Sequence, residues 1–525
     1  MILITQLPLE EFMNKRRFLN VVLALSVFSC AAIPSSSVEG NQTEPSYQTA
    51  RRVLDAAIAA HGGLEALQRV EAVSVKMSGR LYHRNQSLRA DGPLDTTPFA
   101  GEVIRDFQRN WLLFERTSSY PGGFHFSNRW LLKQNKGVNL NLLTKQFARL
   151  NDASGFVENI SQRFPHHVLL AALSRAGTLR SLGRGSFQNR PQDVITYAGP
   201  TGAQMTLFVD AESHRLSKFE QMVDDTVAGD AVAELIYADY QPIGGLPMPM
   251  RFVQQTAGEM TLEVRYSDFK LGAPPAESLF DLPPGYTEFP APPPASGVRE
   301  LTTDVYLIDS NGYGIMFVAF DEYVLVVEAP LGEAASRTAI EKIRQTVPNK
   351  PSRYVAVTHH HDDHAGGVRM YFAEGITLVT TPGNRRYFER VAAARHTIQP
   401  DSLARRPRPP VIETISDKKR VFRDARHVVE LYDIGPGPHA EEMVIAYLPN
   451  EKLLFQGDLL NLPPDGRPRV PANETTVHFY ETLQKMGLPV AKLTGVHSPV
   501  VGMETLVEAI EMRKRAEMPT RMQGR

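Results

Sequence analysis

The sequence predicts two domains of different class: a mostly antiparallel sheet curled around one main helix, then an α/β layered domain. Three observations carry this. Between Val73 and Lys270, short runs alternate apolar and polar residues with the period of half-buried strands. From Val305 onward, wholly apolar runs alternate with a helical stretch, as in a layered α/β protein. Between these regions "EFPAPPPASG", Glu288 to Gly297, is dense in proline and suits an extended spacer. At 525 residues the chain exceeds one usual domain, which agrees with the division.

Residues 1–31 read as an export signal. "NKRRFLNVVLALSVFSCAA" has a basic start at Lys15, Arg16 and Arg17, an apolar run from Phe18 to Phe28, then small residues. The run is short for a bilayer span, although an amino-terminal membrane anchor is the competing reading. Met13 is an alternative start, because "MILITQLPLEEF" adds acidic residues that no signal needs. "NKRRFLN" resembles a twin-arginine signal with Lys15 in place of the first arginine. "VFSC" resembles a lipobox, in which Cys30 would carry lipid; cleavage after Ala31 or Ala32 is the other outcome. The expected location is periplasmic or secreted, with a lipid anchor if Cys30 is modified. Cys30 is the only cysteine, so no disulfide forms within the mature chain and no cysteine ligates metal. Residues 32–46 read as a linker.

Lys plus Arg is 57 and Asp plus Glu is 58, which argues against a nucleic-acid binder. Hydrophobic residues at 42% and charged residues at 22% fit a soluble globular protein.

The first domain, 47–287, opens with a helix. In "SYQTARRVLDAAIAAHGG" the residues Val53, Leu54, Ala57 and Ile58 recur at helical spacing, and Gly62-Gly63 ends the run. "VSVKMSGRLY" then turns Val73, Val75 and Met77 to one side; "TLFVD", "LSKFEQMV" and "TLEVRYSDFK" follow as strands. "GGLPMPMRF" is a turn feeding another strand. His166 and His167 are neighbours in "FPHHVLL", would not share a helix face, and read as structural. The segments "HGGLEALQRVEAVSV", "FVDAESHRLSKFE", "YADYQPIGGLPMPMRF" and "FDLPPGY" resemble periplasmic domains of the lipoprotein-carrier type. That resemblance implies a β half-barrel on a helix, an apolar hollow, and outer-membrane lipid or lipoprotein as a partner.

The second domain, 298–515, begins with the strands "VYLIDS", "GIMFVAF" and "YVLVVEAP", the helix "EAASRTAIEKIRQTV" and the strand "RYVAVTH". That strand runs into "THHHDDHAGG", Thr358 to Gly367. Polar groups this dense at the end of a buried strand are costly unless something pairs with them, and strand carboxyl ends are where α/β sheets place ligands. The spacing is His359-x-His361-x-Asp363-His364. His359 and His361 can point one way while Asp363 and His364 reach a second point. Imidazole with carboxylate suits zinc; the competing reading is a solvated polar loop.

Three further ligands are expected downstream, each at a strand end: His439 in "DIGPGPHAEEMVIAYLP", Asp458 in "EKLLFQGDLL" and His497 in "KLTGVHSPV". A glycine stands one or two residues before each, expected there to let the backbone turn sharply. His360, His396 and His427 fall outside the pattern, and His360 should point away. His478 in "TTVHFYETL" either overhangs the mouth or is structural.

With these motifs in this order, the chain from about Val298 to Ile510 resembles the metallo-β-lactamase fold superfamily. The resemblance implies a four-layer αββα sandwich with one or two metals at its rim. It assigns His359, His361 and His439 to a first metal, Asp363, His364 and His497 to a second, and Asp458 to a bridge between them. Two zinc ions would hold a hydroxide between them, with Asp363 as the catalytic residue that also ligates. The reaction implied is hydrolysis of a small-molecule ester, thioester, lactone or amide. Asp458 excludes the β-lactamases that have cysteine there, and Asn461 stands where many of those place a lysine. The other dinuclear β-lactamases usually lack the bridging aspartate, so the ligand set is similar to that of glyoxalase II. Export and the attached first domain argue against a cytoplasmic glyoxalase role. His361 argues against the diiron reductases, which use glutamate at that place. Two alternatives stay open: a sulfur dioxygenase with one Fe2+, and a periplasmic lipid- or lipoprotein-binding protein with a secondary metal domain.

Overall fold

Strands with alternate apolar residues need one covered face. In the computed structural model, which describes residues 43–289 and 297–517, the first domain covers that face with helices. Val73, Val75 and Met77 of the strand Ala72–Tyr82 enter a core shared with Ala50, Leu54 and Ala57 of the helix Thr43–Ala60. The sheet has fourteen strands. One antiparallel meander runs from Ala72 to Leu150 and another from Arg180 to Gly272; they join where Ala72–Tyr82 pairs with Glu259–Gly272. Thr287–Glu288 adds a short parallel strand at one edge.

One helix is too few for this sheet. Ser154–Ser161 and Pro165–Ser174 also enter the core through Val157, Ile160, Val168, Leu169 and Ala172. Pro165 fits the first turn of its helix, where its missing N–H has no intrahelical partner to lose. The first helix begins at Thr43, inside the segment read as linker. Phe164, which is fully buried, and its neighbours occupy the centre of this half. A small cavity of about 210 Å³ is bordered by Gln162, Gln221 and Gln254 on one hand and Phe219, Val223 and Leu235 on the other. The export signal, Cys30 and the prolines between Phe289 and Gly297 lie outside the described residues.

The wholly apolar runs of the second half are interior strands of two facing sheets. A seven-stranded mixed sheet spans Val298–Thr302 to Ile412–Thr414, and a six-stranded one spans Lys419–Arg423 to Ser498–Gly502. Met316, Val318 and Leu325 of one meet Leu431, Ala446 and Phe455 of the other in one buried cluster. Each such side chain contributes about 1.5–3 kcal/mol on full burial, smaller for Ala. The helix Glu333–Thr346 covers the outer face of the first sheet through Ala339, Ile340 and Ile343. Glu474–Met486 and Met503–Glu517 lie against the outer face of the second, through Phe479, Leu483 and Leu506. The layers are α, β, β, α. No helix among the described residues is long and apolar enough to cross a membrane.

The two halves are also tied directly to one another. His396 Nδ1 lies 2.7 Å from Asp224 Oδ1, and Thr397 donates to Asp230 at 2.6 Å. Gly229 forms a bridge with Arg395, so close that an added Cβ would sit 2.1 Å from the Arg395 carbonyl oxygen. Thr475 Oγ1 donates to the Gly122 carbonyl at 2.9 Å, and the Glu441 N–H donates to the Leu88 carbonyl at 2.7 Å. A chain cut between Glu288 and Gly297 is therefore expected to keep its two fragments together. Size-exclusion chromatography of the nicked protein in native buffer checks this; two separate peaks would contradict it.

Candidate metal centre

Six of the seven candidate ligands stand just beyond the end of a buried strand. Ser352–Ala356 leads to His359 and His361, then to the short helix Asp362–Ala365 that carries Asp363 and His364. Leu453–Gln456 leads to Asp458, and Lys492–Gly495 to His497. His439 lies between the antiparallel strands Val428–Asp433 and Val444–Leu448. These ends meet at one rim of the sandwich.

There the seven residues form two groups. Donor atoms of His359, His361, His439 and Asp458 lie within 4.8 Å of one another, and so do those of Asp363, His364, Asp458 and His497. Asp458 belongs to both. Its Oδ2 is 3.1 Å from His439 Nε2, while its Oδ1 is 3.1 Å from His497 Nε2 and 3.2 Å from His364 Nε2. Asp363 Oδ2 lies 3.6 Å from His364 Nε2 and 3.7 Å from His497 Nε2.

The donor set fits cations. His359 Nε2 and His439 Nε2 face each other at 3.1 Å, and at most one of two facing imidazole nitrogens can usefully carry a proton. His361 Nδ1, His364 Nε2, His497 Nε2, Asp363 Oδ2 and Asp458 Oδ1 are buried without a well-formed hydrogen bond. Orphaned polar atoms at this density are rare in a folded protein, and here they converge. Burial first, then the neighbouring histidines, hold His359 and His361 well below the usual imidazole range, so their lone pairs are available. Burial opposes charge on His364, but Asp458 and Asp363 outweigh it and hold that ring well above its usual range. Burial would raise the Asp458 carboxyl; the charges of His364 and His497 prevail and hold it well below.

The other histidines stay outside both groups. His360 packs edge-on against Tyr387 at 5.5 Å between ring centroids. His427 sits between Asp304 and Glu451, and His167 meets Glu158 at 3.1 Å. His166 is buried beside Phe107. His478 packs against Gly437, in the loop that carries His439.

The glycines before the ligands have a different reason from the one expected. Gly437, Gly457 and Gly495 are not among the residues with positive φ. What they provide is room. A Cβ on Gly457 would lie 2.5 Å from Thr358 Oγ1 and 3.2 Å from His359 Nδ1; one on Gly495 would lie 2.4 Å from the Gln456 carbonyl oxygen.

Three features escaped the sequence reading. Glu328 is fully buried at the end of the strand Val324–Val327. Its Oε1 accepts from the Thr358 N–H at 2.8 Å, and its Oε2 lies 3.4 Å from His364 Nδ1. The signal was a lone acid closing the apolar run "YVLVVEAP". Tyr313 stands edge-on to His497 at 4.7 Å. The third feature is a connection from the first domain, residues 83–95, which reaches the centre through Gln86 and Ser87. Its polar sequence carries no signal of this.

A cavity of about 720 Å³ borders His497 and lies between the two halves. Phe124, Leu143, Leu307, Leu462 and Val470 give it apolar walls. Asn461 also borders it, and both polar atoms of its amide lack partners.

Residues 302–495 match the family model of the metallo-beta-lactamase superfamily. A search of curated proteins returned no match. Among solved structures, a metallo-beta-lactamase from Pontibacter korlensis is 18% identical, with 41% of this chain and 98% of that one covered and a TM-score of 0.31. A metallo-beta-lactamase from Pseudomonas aeruginosa in its mono-zinc form is 19% identical, with 43% of this chain and 99% of that one covered and a TM-score of 0.31. By the match over residues 302–495, with its two-sheet sandwich, the C-terminal region of this chain resembles the metallo-beta-lactamase superfamily.

Proposed function

We propose that this protein is an exported hydrolase that uses two zinc ions on a small-molecule ester, thioester, lactone or amide. The observation that carries the reading is the sharing of Asp458 by two complete groups of ligands. His359, His361 and His439 would hold one ion, Asp363, His364 and His497 the other, with Asp458 between them. When bound, such a pair makes water acidic enough to supply a nucleophile near neutral pH and polarises the scissile carbonyl.

The chain's own groups do the rest. Asp363 Oδ2, which has no partner, would ligate and also accept a hydrogen bond from the attacking water through its second lone pair. The apolar walls beside His497 suit a hydrophobic substituent of the substrate, and the Asn461 amide is placed to hold a polar group at its edge. No protein nucleophile is needed. The core of the first domain, packed with side chains around Phe164, favours this enzymatic reading over a lipid carrier.

Protein purified without chelator is expected to hold near two equivalents of zinc and to be inactivated by chelation. A screen over esters, thioesters, lactones, phosphodiesters and β-lactams should find the substrate class. One equivalent of iron with little zinc would overturn the reading and favour the dioxygenase.

A further inference from the structure

We propose that residues 83–95 of the first domain are a positioning element of the metal centre, in which Gln86 and Ser87 orient Asp363 and His361. None of the seven metal-site residues belongs to the first domain, yet this connection between the strands Ala72–Tyr82 and Thr96–Asp106 inserts beside them.

His361 Nε2 lies 3.0 Å from the Ser87 carbonyl oxygen. A carbonyl only accepts, so Nε2 carries the proton and Nδ1 keeps its lone pair. Nδ1 is the buried, unpartnered atom of that ring. A backbone group of the first domain thus selects both the tautomer and the direction in which His361 presents itself.

Gln86 treats the carboxylates in the same way. Its Nε2 donates to Asp363 Oδ1 at 2.8 Å and to Asp362 Oδ1 at 2.6 Å. Both N–H bonds of one amide are used, one on each aspartate. Asp363 Oδ1 is engaged, its rotation is arrested, and Oδ2 is left toward His364 and His497. The Asp362 N–H also meets the Asn85 carbonyl at 3.3 Å.

The connection is braced by its own domain. Ser87 Oγ donates to the His83 carbonyl at 2.8 Å and accepts from the Asp95 N–H at 2.9 Å. Asp95 Oδ2 accepts from the Leu88 N–H at 2.7 Å. Arg84 holds Asp225 through two nitrogens, at 2.7 and 3.1 Å. Such bracing is what a partner needs if it is to hold a ligand still.

The inference rests on the two-metal reading but not on hydrolysis, so its test needs no substrate. Gln86→Met keeps the length of the side chain and removes both donors. Competition with a chromophoric chelator is expected to show zinc bound about 10–100-fold more weakly at the second site. The visible spectrum of the cobalt(II)-loaded protein should change with it. Gln86→Asn, which withdraws the amide by one methylene, carries the same expectation and serves if Gln86→Met folds poorly by circular dichroism. Lys76→Ala breaks an exposed ion pair with Asp268 elsewhere in the first domain and should leave both readouts unchanged. Unchanged zinc affinity and cobalt spectrum in the folded Gln86 variants would overturn the proposal. A wild-type protein that binds no zinc would instead overturn the two-metal reading beneath it.

Discussion

Asp458→Ala is expected to lower turnover on the order of hundreds-fold or more while the fold survives. Asp458 is the one residue common to both groups, with one oxygen facing each. Without it, Asp363 is the only carboxylate among the remaining six residues. Two divalent cations would then repel each other with less negative charge between them, and the second site should empty first. Loss of a direct ligand should exceed the roughly 10–100-fold typical of an outer partner. The fold should survive because Asp458 sits at a strand end, beyond the Leu454 and Phe455 side chains that pack the core. Metal titration, circular dichroism and turnover on the substrate found by the screen check this together. Two zinc ions and most of the activity retained would show that Asp458 is not a shared ligand.

Glu328→Ala is expected to be costly in another way, through stability as well as metal affinity. Removing the carboxylate leaves the Thr358 N–H buried without its partner, which costs about 1–3 kcal/mol. It also frees the His364 ring, whose Nδ1 faces Glu328 Oε2. The second metal should bind about 10–100-fold more weakly. Glu328→Gln separates the two effects. Its amide oxygen can still accept from Thr358, but its amide nitrogen would donate to His364 Nδ1. The ring proton would then move to Nε2, the atom needed for the metal. Thermal unfolding of the metal-free variants should therefore show Glu328→Ala well below wild type and Glu328→Gln near it, with both deficient in the second metal. A Glu328→Gln protein with normal metal affinity would show that Glu328 does not set the His364 tautomer.

The parts of the site that were legible in the sequence share a physical origin. "THHHDDHAGG" condenses four candidate ligands into one strand end, Asp458 and His497 each follow an apolar run, and His439 stands between a glycine turn and one. The layered fold was legible from the same runs, because strands covered on both faces are apolar throughout. What escaped depends on distance along the chain. In "HRNQSLRADGP", Gln86 and Ser87 look like any polar turn; only the docking of two domains gives them a role. The helices Ser154–Ser161 and Pro165–Ser174 were missed because each is short, and a run such as "VLLAAL" does not by itself tell helix from strand. The glycines at 437, 457 and 495 were noticed but misread, since sequence shows that a side chain is absent and not which atom would have met it.

Gln86 and Asp363 are separated by 277 positions along the chain, and Ser87 and His361 by 274. A contact spanning so much chain forms late, after the cost of closing so large a loop has been met. Several supports of Gln86 and Ser87, in contrast, lie within the first domain: His83, Asp95, and the pair of Arg84 with Asp225. The connection can thus take its shape before the histidine motif arrives, and serve as a template on which that motif settles. An ion that binds only the assembled form would then lock the two halves by mass action, by about 2.7 kcal/mol at a hundredfold excess over its Kd. In that case metal loading would follow the docking of the two halves, and the half that contributes no candidate ligand would shape the site before the ion arrives.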